Sequence, residues 1–485
     1  MNNNLDDLQK LYKDIKHYDP HVRQNAVIGF GKYFLDDSAR NSLKEEEKAN
    51  IVNVLLQCLE PKENSIEVKG RTVRTFSQIT KFLTENEIIQ VFSRIINYLT
   101  QKSAEGKDIY VNCIKKIFDE IPISSCKIIG KVICPVLTEG ILKSSDQEIL
   151  ELCLDTYTDY IKTFDNVLIK DNDVVKNKID LFTKSVEFLT SVDITLQNNA
   201  INFIGNLAVL LNKKEIKEIT SNLITKLTKS QNLYEKSAIL DCLNSIAKTS
   251  ANKQIELLPN LIANINSKCN LKYLEEDSAD YDEKNKYVKS CLECLETYIL
   301  KLLNRIDKKV LYDIIINSLK LIEYDPNYSY DNQGDNMDVD DYDNEYADYE
   351  IDAGDLDDSS WKVRKSSVNI IHNFLKSGYD FEKDLIIKII KQLVVDLREH
   401  EENTKIDIIS TLCDYLYSQV EQKETDLGLT FKRKSSVNAT YLTEVANDIN
   451  NILLKELKGS NKNLNSNMLK LLPALASVAS SEMIK

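Results

Sequence analysis

Glycine and proline are scarce, 12 and 7 in a chain of 485 residues. Folds built from many strands and tight turns need more of both, which argues against a sheet-rich architecture. Histidine is scarcer still. His17 and His21 bracket Asp19-Pro20, and His372 and His400 lie far from them in the chain. None has the neighbouring ligand types of a zinc site. No apolar run approaches the roughly 18 residues that a membrane span needs. Phosphate-cradling glycine loops and dinucleotide fingerprints are missing. So is any basic stripe with interleaved aromatics, and nucleic acid is not expected as a ligand. The first residues, Met1-Asn-Asn-Asn-Leu5-Asp-Asp, are polar and acidic, unlike a secretory or mitochondrial leader. Ten cysteines sit in apolar contexts. They read as reduced core thiols, and the expected location is cytoplasm and nucleus.

What is present is helical periodicity. Leu5, Leu8, Leu11, Tyr12 and Ile15 recur at spacings of three and four. Asp19 offers an N-cap oxygen, Pro20 suits the first helical position, and Val22, Ala26, Val27, Phe30, Tyr33 and Phe34 mark a second apolar face. This helical hairpin recurs. The start of its second helix reads as Val22-Arg23, Val68-Lys69, Ile109-Tyr110, Ile149-Leu150, Leu196-Gln197, Val288-Lys289, Val363-Arg364 and Thr404-Lys405. The steps between these marks are 46, 41, 40, 47, 92, 75 and 41 residues. The step of 92 holds two units, with a degraded copy near Tyr234-Glu235-Lys236-Ser237-Ala238, and the step of 75 holds one unit plus an acidic block. A weaker last copy lies at Leu464 to Leu475.

A period near 40–47 residues with two helices per unit is that of HEAT repeats. The expectation is an all-α fold, a curved right-handed α-solenoid of about 10–11 helical hairpins, each covering the apolar side its neighbour leaves wet. Residues 1–330 carry repeats 1 to 7 and the first helix of repeat 8; 331–358 are an acidic insert within repeat 8; 359–418 are repeats; 419–440 a polar loop; 441–485 further repeats.

Three segments interrupt the array. Lys268 to Lys286 reads as a polar, acidic loop. Gln419 to Thr440 contains Lys432-Arg433-Lys434-Ser435-Ser436, a solvated loop or else a basophilic kinase site or basic address. The densest is Asp331 to Asp358, with 13 acidic residues in 28 and neither Lys nor Arg, against a net charge of −14 for the whole chain. Such a block buries little and is expected to be disordered. Asp338, Asp340, Asp341, Asp343, Asp355, Asp357 and Asp358 are its candidate residues for steering a basic partner. Cys291-Leu-Glu-Cys294 has CxxC spacing, yet Cys291, Leu292, Leu295 and Ile299 form an apolar helical face, so the pair reads as core. With no paired acid and base in view, no catalysis and no cofactor are expected.

The flanks of the acidic block are more specific. Leu321-Ile-Glu-Tyr-Asp-Pro-Asn-Tyr-Ser-Tyr330, the block with its Asn336-Met337-Asp338, Trp361-Lys-Val-Arg364 and Arg398-Glu-His-Glu-Glu-Asn403 follow one another in an order and spacing that resemble the cullin-associated, neddylation-dissociated family. The opening repeat, with Asp19-Pro20, Val22-Arg23 and Ala26, is similar too. The resemblance implies a non-catalytic scaffold that binds an unmodified cullin and its RING subunit, blocks attachment of the ubiquitin-like modifier, and exchanges substrate-receptor modules. It matches the amino-terminal portion of a scaffold more than twice as long, which implies a separate carboxy-terminal HEAT polypeptide or a truncated chain. A karyopherin-like nuclear transport receptor is the alternative reading, being another HEAT solenoid with acidic loops.

Overall fold

The computed structural model describes residues 2–101, 106–171, 173–276, 281–326, 359–379, 381–399, 401–425, 428–434, 439–456 and 468–478. They form two compact units, Met1–Ile216 and Lys217–Lys485. The seven candidate aspartates of the acidic block, together with Ser435, Ser436 and His400, lie outside the described residues.

The first unit is a two-layer HEAT stack. It opens with α1 (Asn2–Asp14), α2 (Pro20–Leu35) and the short α3 (Asp37–Ser42). The first helices of the next repeats are α4 (Glu45–Gln57), α6 (Glu85–Thr100), α8 (Cys126–Lys143) and α10 (Lys178–Glu187). The second helices are α5 (Ile66–Ile79), α7 (Asp108–Glu120), α9 (Gln147–Leu168) and α11 (Ile194–Leu207). Helices α4, α6, α8 and α10 pack in succession in one layer; α2, α5, α7, α9 and α11 do so in the other.

Local chemistry fixes where the second helices start. The Asp19 carboxylate accepts from the His21 backbone N–H at 2.9 Å, with Pro20 at the first helical position. Ser65, Asp146 and Asp193 cap α5, α9 and α11 in the same way. Between the layers lie whole rings. Phe118 of α7 stands 5.7 Å from Phe92 of α6, 6.0 Å from Tyr160 and 5.7 Å from Phe164, both of α9. Phe118 therefore ties two repeats through one side chain that is 3% exposed.

The second unit repeats the scheme. Its first helices are α12 (Lys213–Lys229), α14 (Leu258–Asn266), α17 (Lys308–Ile322), α19 (Lys383–Val395) and α21 (Ala439–Glu456). Its second helices are α13 (Leu233–Ser250), α16 (Tyr281–Leu302), α18 (Ser360–Lys376), α20 (Glu402–Ser418) and α22 (Leu471–Val478), packed in that order. A buried polar chain threads this core: Tyr298 Oη donates to Gln254 Oε1 at 2.9 Å, and Gln254 Nε2 donates to Thr220 Oγ1 at 3.1 Å. All three groups are thereby satisfied, as burial demands.

Two segments read as loops hold regular structure. Within 268–286, α15 (Leu271–Glu275) forms behind an Asn270 cap, and α16 starts at Tyr281, two turns before its Val288-Lys289 mark. Leu274 is fully buried and anchors the segment, while Lys284 Nζ donates to the Glu276 carbonyl at 2.6 Å. Within 419–440, β1 (Val420–Thr425) and β2 (Gly428–Arg433) pair antiparallel, Val420 opposite Arg433 and Thr425 opposite Gly428. The backbone polar groups of this polar stretch thus find partners in a ladder, which a solvated loop leaves to water. β1 packs on α20 and β2 on α22.

Candidate protein-interaction site

Because the second helices of each unit pack in unbroken succession, their outward side chains form a ladder of neighbours. In the first unit Lys115 Nζ of α7 lies 2.9 Å from Asp155 and 3.0 Å from Asp159, both of α9. In the second, Asn373 Nδ2 of α18 donates to Glu296 of α16 at 2.8 Å, and Lys365 of α18 lies 3.6 Å from Asp407 of α20. His372 Nε2 of α18 is 3.0 Å from Asp414 Oδ2 of α20. The Asp241 and Glu296 carboxyls are pushed above the usual carboxylate range, chiefly by burial. The result is a pre-set array of both charge signs, suited to contact with another folded surface rather than to bond making.

The most built part of the second unit is the neck where the chain leaves α17 and enters α18. Arg364 closes it. Its Nε donates to Glu399 Oε2 at 2.8 Å and its Nη2 to Glu399 Oε1 at 3.2 Å, a bidentate pair with side chains 5% and 8% exposed. Its Nη1 donates to the Tyr324 carbonyl at 2.9 Å and to Ser360 Oγ at 2.8 Å. Asp325 lies 3.8 Å away. Asn285 Nδ2 of α16 donates to Ser359 Oγ at 3.1 Å, and Ser359 Oγ donates to the Asp282 carboxylate. The described residues that flank the acidic block, Tyr324 and Ser359–Ser360, are therefore fastened to folded structure. A smaller version occurs in the first repeat, where Arg23 meets Glu63 through Nε at 3.1 Å and Nη2 at 2.7 Å and also holds the His17 and Tyr18 carbonyls.

Asp396 sits at the foot of this neck, just before Glu399. Burial pushes its carboxyl up to about 7; Glu323 and Glu399 add to the rise, and the Gln392 side-chain N–H, 3.0 Å from Oδ1, opposes it. An acid whose folded pKa is raised destabilises the fold as pH climbs from its unfolded value of 3.8 toward about 7, and not below that window. Asp396→Asn is therefore expected to change stability little near pH 4 and to add roughly 2–4 kcal/mol above pH 7. Urea titrations at pH 4.5, 6 and 8 check this; a gain independent of pH would refute the assignment.

Other features flagged by the sequence are structural. All ten cysteines are free and buried, Cys291 and Cys294 among them. Burial pushes the Cys58, Cys134 and Cys153 thiols up to about 12. His17 Nδ1 accepts from the Asp19 backbone N–H at 3.1 Å, which serves the turn before α2. Among the described residues no three His, Cys, Asp or Glu side chains are grouped to hold a metal ion, and no helix is long and apolar enough to cross a membrane. The sequence signalled Arg364 through its Val-Arg mark, but neither its partner Glu399, 35 residues on, nor the buried Asp396 close to that carboxylate.

No family model matches the chain. Curated relatives do. Over 373 residues, or 76% of this chain, it is 22% identical to the cullin-associated NEDD8-dissociated protein 1 of Drosophila melanogaster. Over 436 residues, or 86% of the chain, it is 22% identical to the protein of the same name from Dictyostelium discoideum. The chain is similar to the cullin-associated NEDD8-dissociated proteins over most of its length. The mouse protein 2 of that name is 22% identical over 76% of the chain. These matches cover 28%, 34% and 29% of the relatives' own lengths, so the chain spans about a third of them. Among solved structures, importin beta superposes with a TM-score of 0.64 at 12% identity, over 97% of this chain and 52% of that one. Kap121p bound to Ste12p gives 0.55 at 12% identity, over 98% and 42%. Both neighbours show a HEAT solenoid fold for the chain, and at this identity nothing further. The relatives and neighbours are named as associated or transport proteins, not as enzymes.

Proposed function

We propose that this chain is a non-catalytic HEAT scaffold for a cullin and its RING subunit. The observation that carries the reading is the kinship with cullin-associated NEDD8-dissociated proteins along 76–86% of the chain. The ladder of second helices supports it, since a rigid row of paired charges suits a large folded partner better than a small substrate. The proposed partner is the cullin without its ubiquitin-like modifier. Regulation of neddylation and exchange of substrate-receptor modules are proposed for the chain acting with a separate carboxy-terminal HEAT polypeptide. The proposed location is cytoplasm and nucleus, in keeping with ten unpaired thiols. Asp338, Asp340, Asp341, Asp343, Asp355, Asp357 and Asp358 are proposed to steer a basic surface of the partner toward the neck. The karyopherin-like alternative rests on the shared fold alone, and the named relatives favour the cullin reading.

The test is retention of a purified cullin–RING pair on the immobilised chain. Unmodified cullin is expected to be retained in stoichiometric amount and NEDD8-modified cullin to pass through. Failure to retain the unmodified pair, or equal retention of both forms, would rule the proposal out.

A further inference from the structure

A second site in the Lys217–Lys485 unit adjoins the His372–Asp414 rung of the helix ladder. Helix α18 ends at Lys376, and two residues on Gly378 takes a φ of +62°, a left-handed conformation that side chains other than glycine rarely adopt. The Ser377 and Gly378 backbone N–H groups return to the last turn of α18, and the chain then doubles back. This brings Tyr379 and Phe381 against the end of the helix. Phe381 packs edge-on to Phe374 at 5.8 Å, stacks on Tyr312 at 6.2 Å and lies 6.1 Å from Tyr379. On the far side are the last turns of α20, with Tyr415, and the base of the hairpin, where the Lys434 N–H donates to the Gln419 carbonyl at 3.0 Å. Between these walls is an open cleft of about 970 Å³.

The floor is aromatic and the rim is basic. Lys376, Lys383 and Lys434 line the cleft, and all three are exposed. The carboxylate that lines it, Asp414, already faces His372 at 3.0 Å and Lys376 at 3.9 Å. Lys432 and Arg433 precede Lys434 along β2, at the hairpin end nearest the cleft, opposite Glu421 and Val420. Lys434 thus stands beside an aromatic pocket, in a chain whose net charge is −14.

We propose that this cleft is a docking site for an extended acidic peptide of a partner protein, with an aromatic side chain of the peptide seated against Phe374 and Phe381 and its carboxylates on Lys383 and Lys434. Charge complementarity selects the occupant. The rim offers ammonium groups with one already-engaged carboxylate among them, so a basic segment is repelled and an acidic one drawn in. Buried aromatic anchors flanked by charges are the usual energetic centre of such contacts. The site goes beyond the cullin reading and holds or fails without it.

The test uses the full chain and fluorescence anisotropy. The probe is a fluorescein-labelled peptide of alternating Asp and Glu around one central Phe; its controls carry Lys in place of the acids, or Ala in place of the Phe. Saturable binding of the acidic probe is expected, weakened by added salt, by loss of the Phe, and about tenfold or more by K383E/K434E, which is 1.4 kcal/mol or more. Both lysines are exposed, so an unchanged melting temperature is expected to accompany that loss. The proposal is overturned by no saturation up to about 1 mM, a contact weaker than about 4 kcal/mol. Equal binding of the lysine control, an unaffected K383E/K434E variant, or tighter binding of a single-stranded RNA of the same length would overturn it as well.

Discussion

Arg364→Ala is expected to destabilise the Lys217–Lys485 unit by about 3–5 kcal/mol, because it removes one half of a buried ion pair and leaves the other half without its cation. The residue holds Glu399 bidentately, the Tyr324 carbonyl and Ser360 Oγ at once. Without it, a carboxylate that is 8% exposed loses its cation, and α17, α18 and the turn before α20 lose their common tie. Lysine at this position keeps the charge but not the fork, and is expected to fall between. A second comparison separates pairing from desolvation: Arg364→Met with Glu399→Leu is expected to recover most of what Arg364→Ala loses, since neither charge then stays buried alone. Hydrogen exchange, read helix by helix, is the suitable measurement, because repeat arrays depart from two-state unfolding. A loss under 1 kcal/mol in α17, α18 and α20 would contradict the role given to Arg364.

Phe118→Ala is expected to cost the Met1–Ile216 unit a comparable 3–5 kcal/mol. The cause is different. Phe118 carries no polar contact that competes with packing, and its ring meets Phe92, Tyr160 and Phe164 within 5.7 to 6.0 Å. Truncation removes three ring contacts and leaves a cavity that α6, α7 and α9 cannot all close on. Each repeat leans chiefly on its neighbours, so the loss of protection is expected to be largest in α6 to α9 and to fade toward α1. Uniform loss across the unit would show instead that it opens as one body. Phe118→Leu is expected to restore more than half of the loss.

The repeat plan was legible in the sequence for a local reason. Asp19-Pro20, Ser65, Asp146 and Asp193 cap the helix that follows through their own side chains, and the apolar period behind each cap needs only neighbouring residues to be read. The Val-Arg and Val-Lys marks fall at the first turns of α2, α5 and α18, and two turns into α16. The neck was half legible. Trp361-Lys-Val-Arg364 announced the restart of the array, but the partner of Arg364 stands 35 residues on, in a turn that only the stack brings close. Asp396 had no sequence signal, because its raised pKa comes from burial by helices that are remote along the chain. The hairpin at Val420–Arg433 was hidden by its polarity, and α15 by the acids around Leu271 and Leu274. The cleft could not be read from sequence at all. It depends on the Gly378 turn, the end of α20 and the hairpin meeting in space.

The buried thiols turn the molecule into its own clock. Five cysteines, Cys58, Cys113, Cys126, Cys134 and Cys153, lie in the first unit, and five, Cys242, Cys269, Cys291, Cys294 and Cys413, in the second. Each is buried, so an alkylating reagent can mark it only after the surrounding helices part. The order in which the ten sites take up label, followed by mass spectrometry, therefore reports which repeats breathe first and how often, with no probe added to the chain. A partner gripping one stretch of the stack would be seen as the silence of the cysteines beneath it.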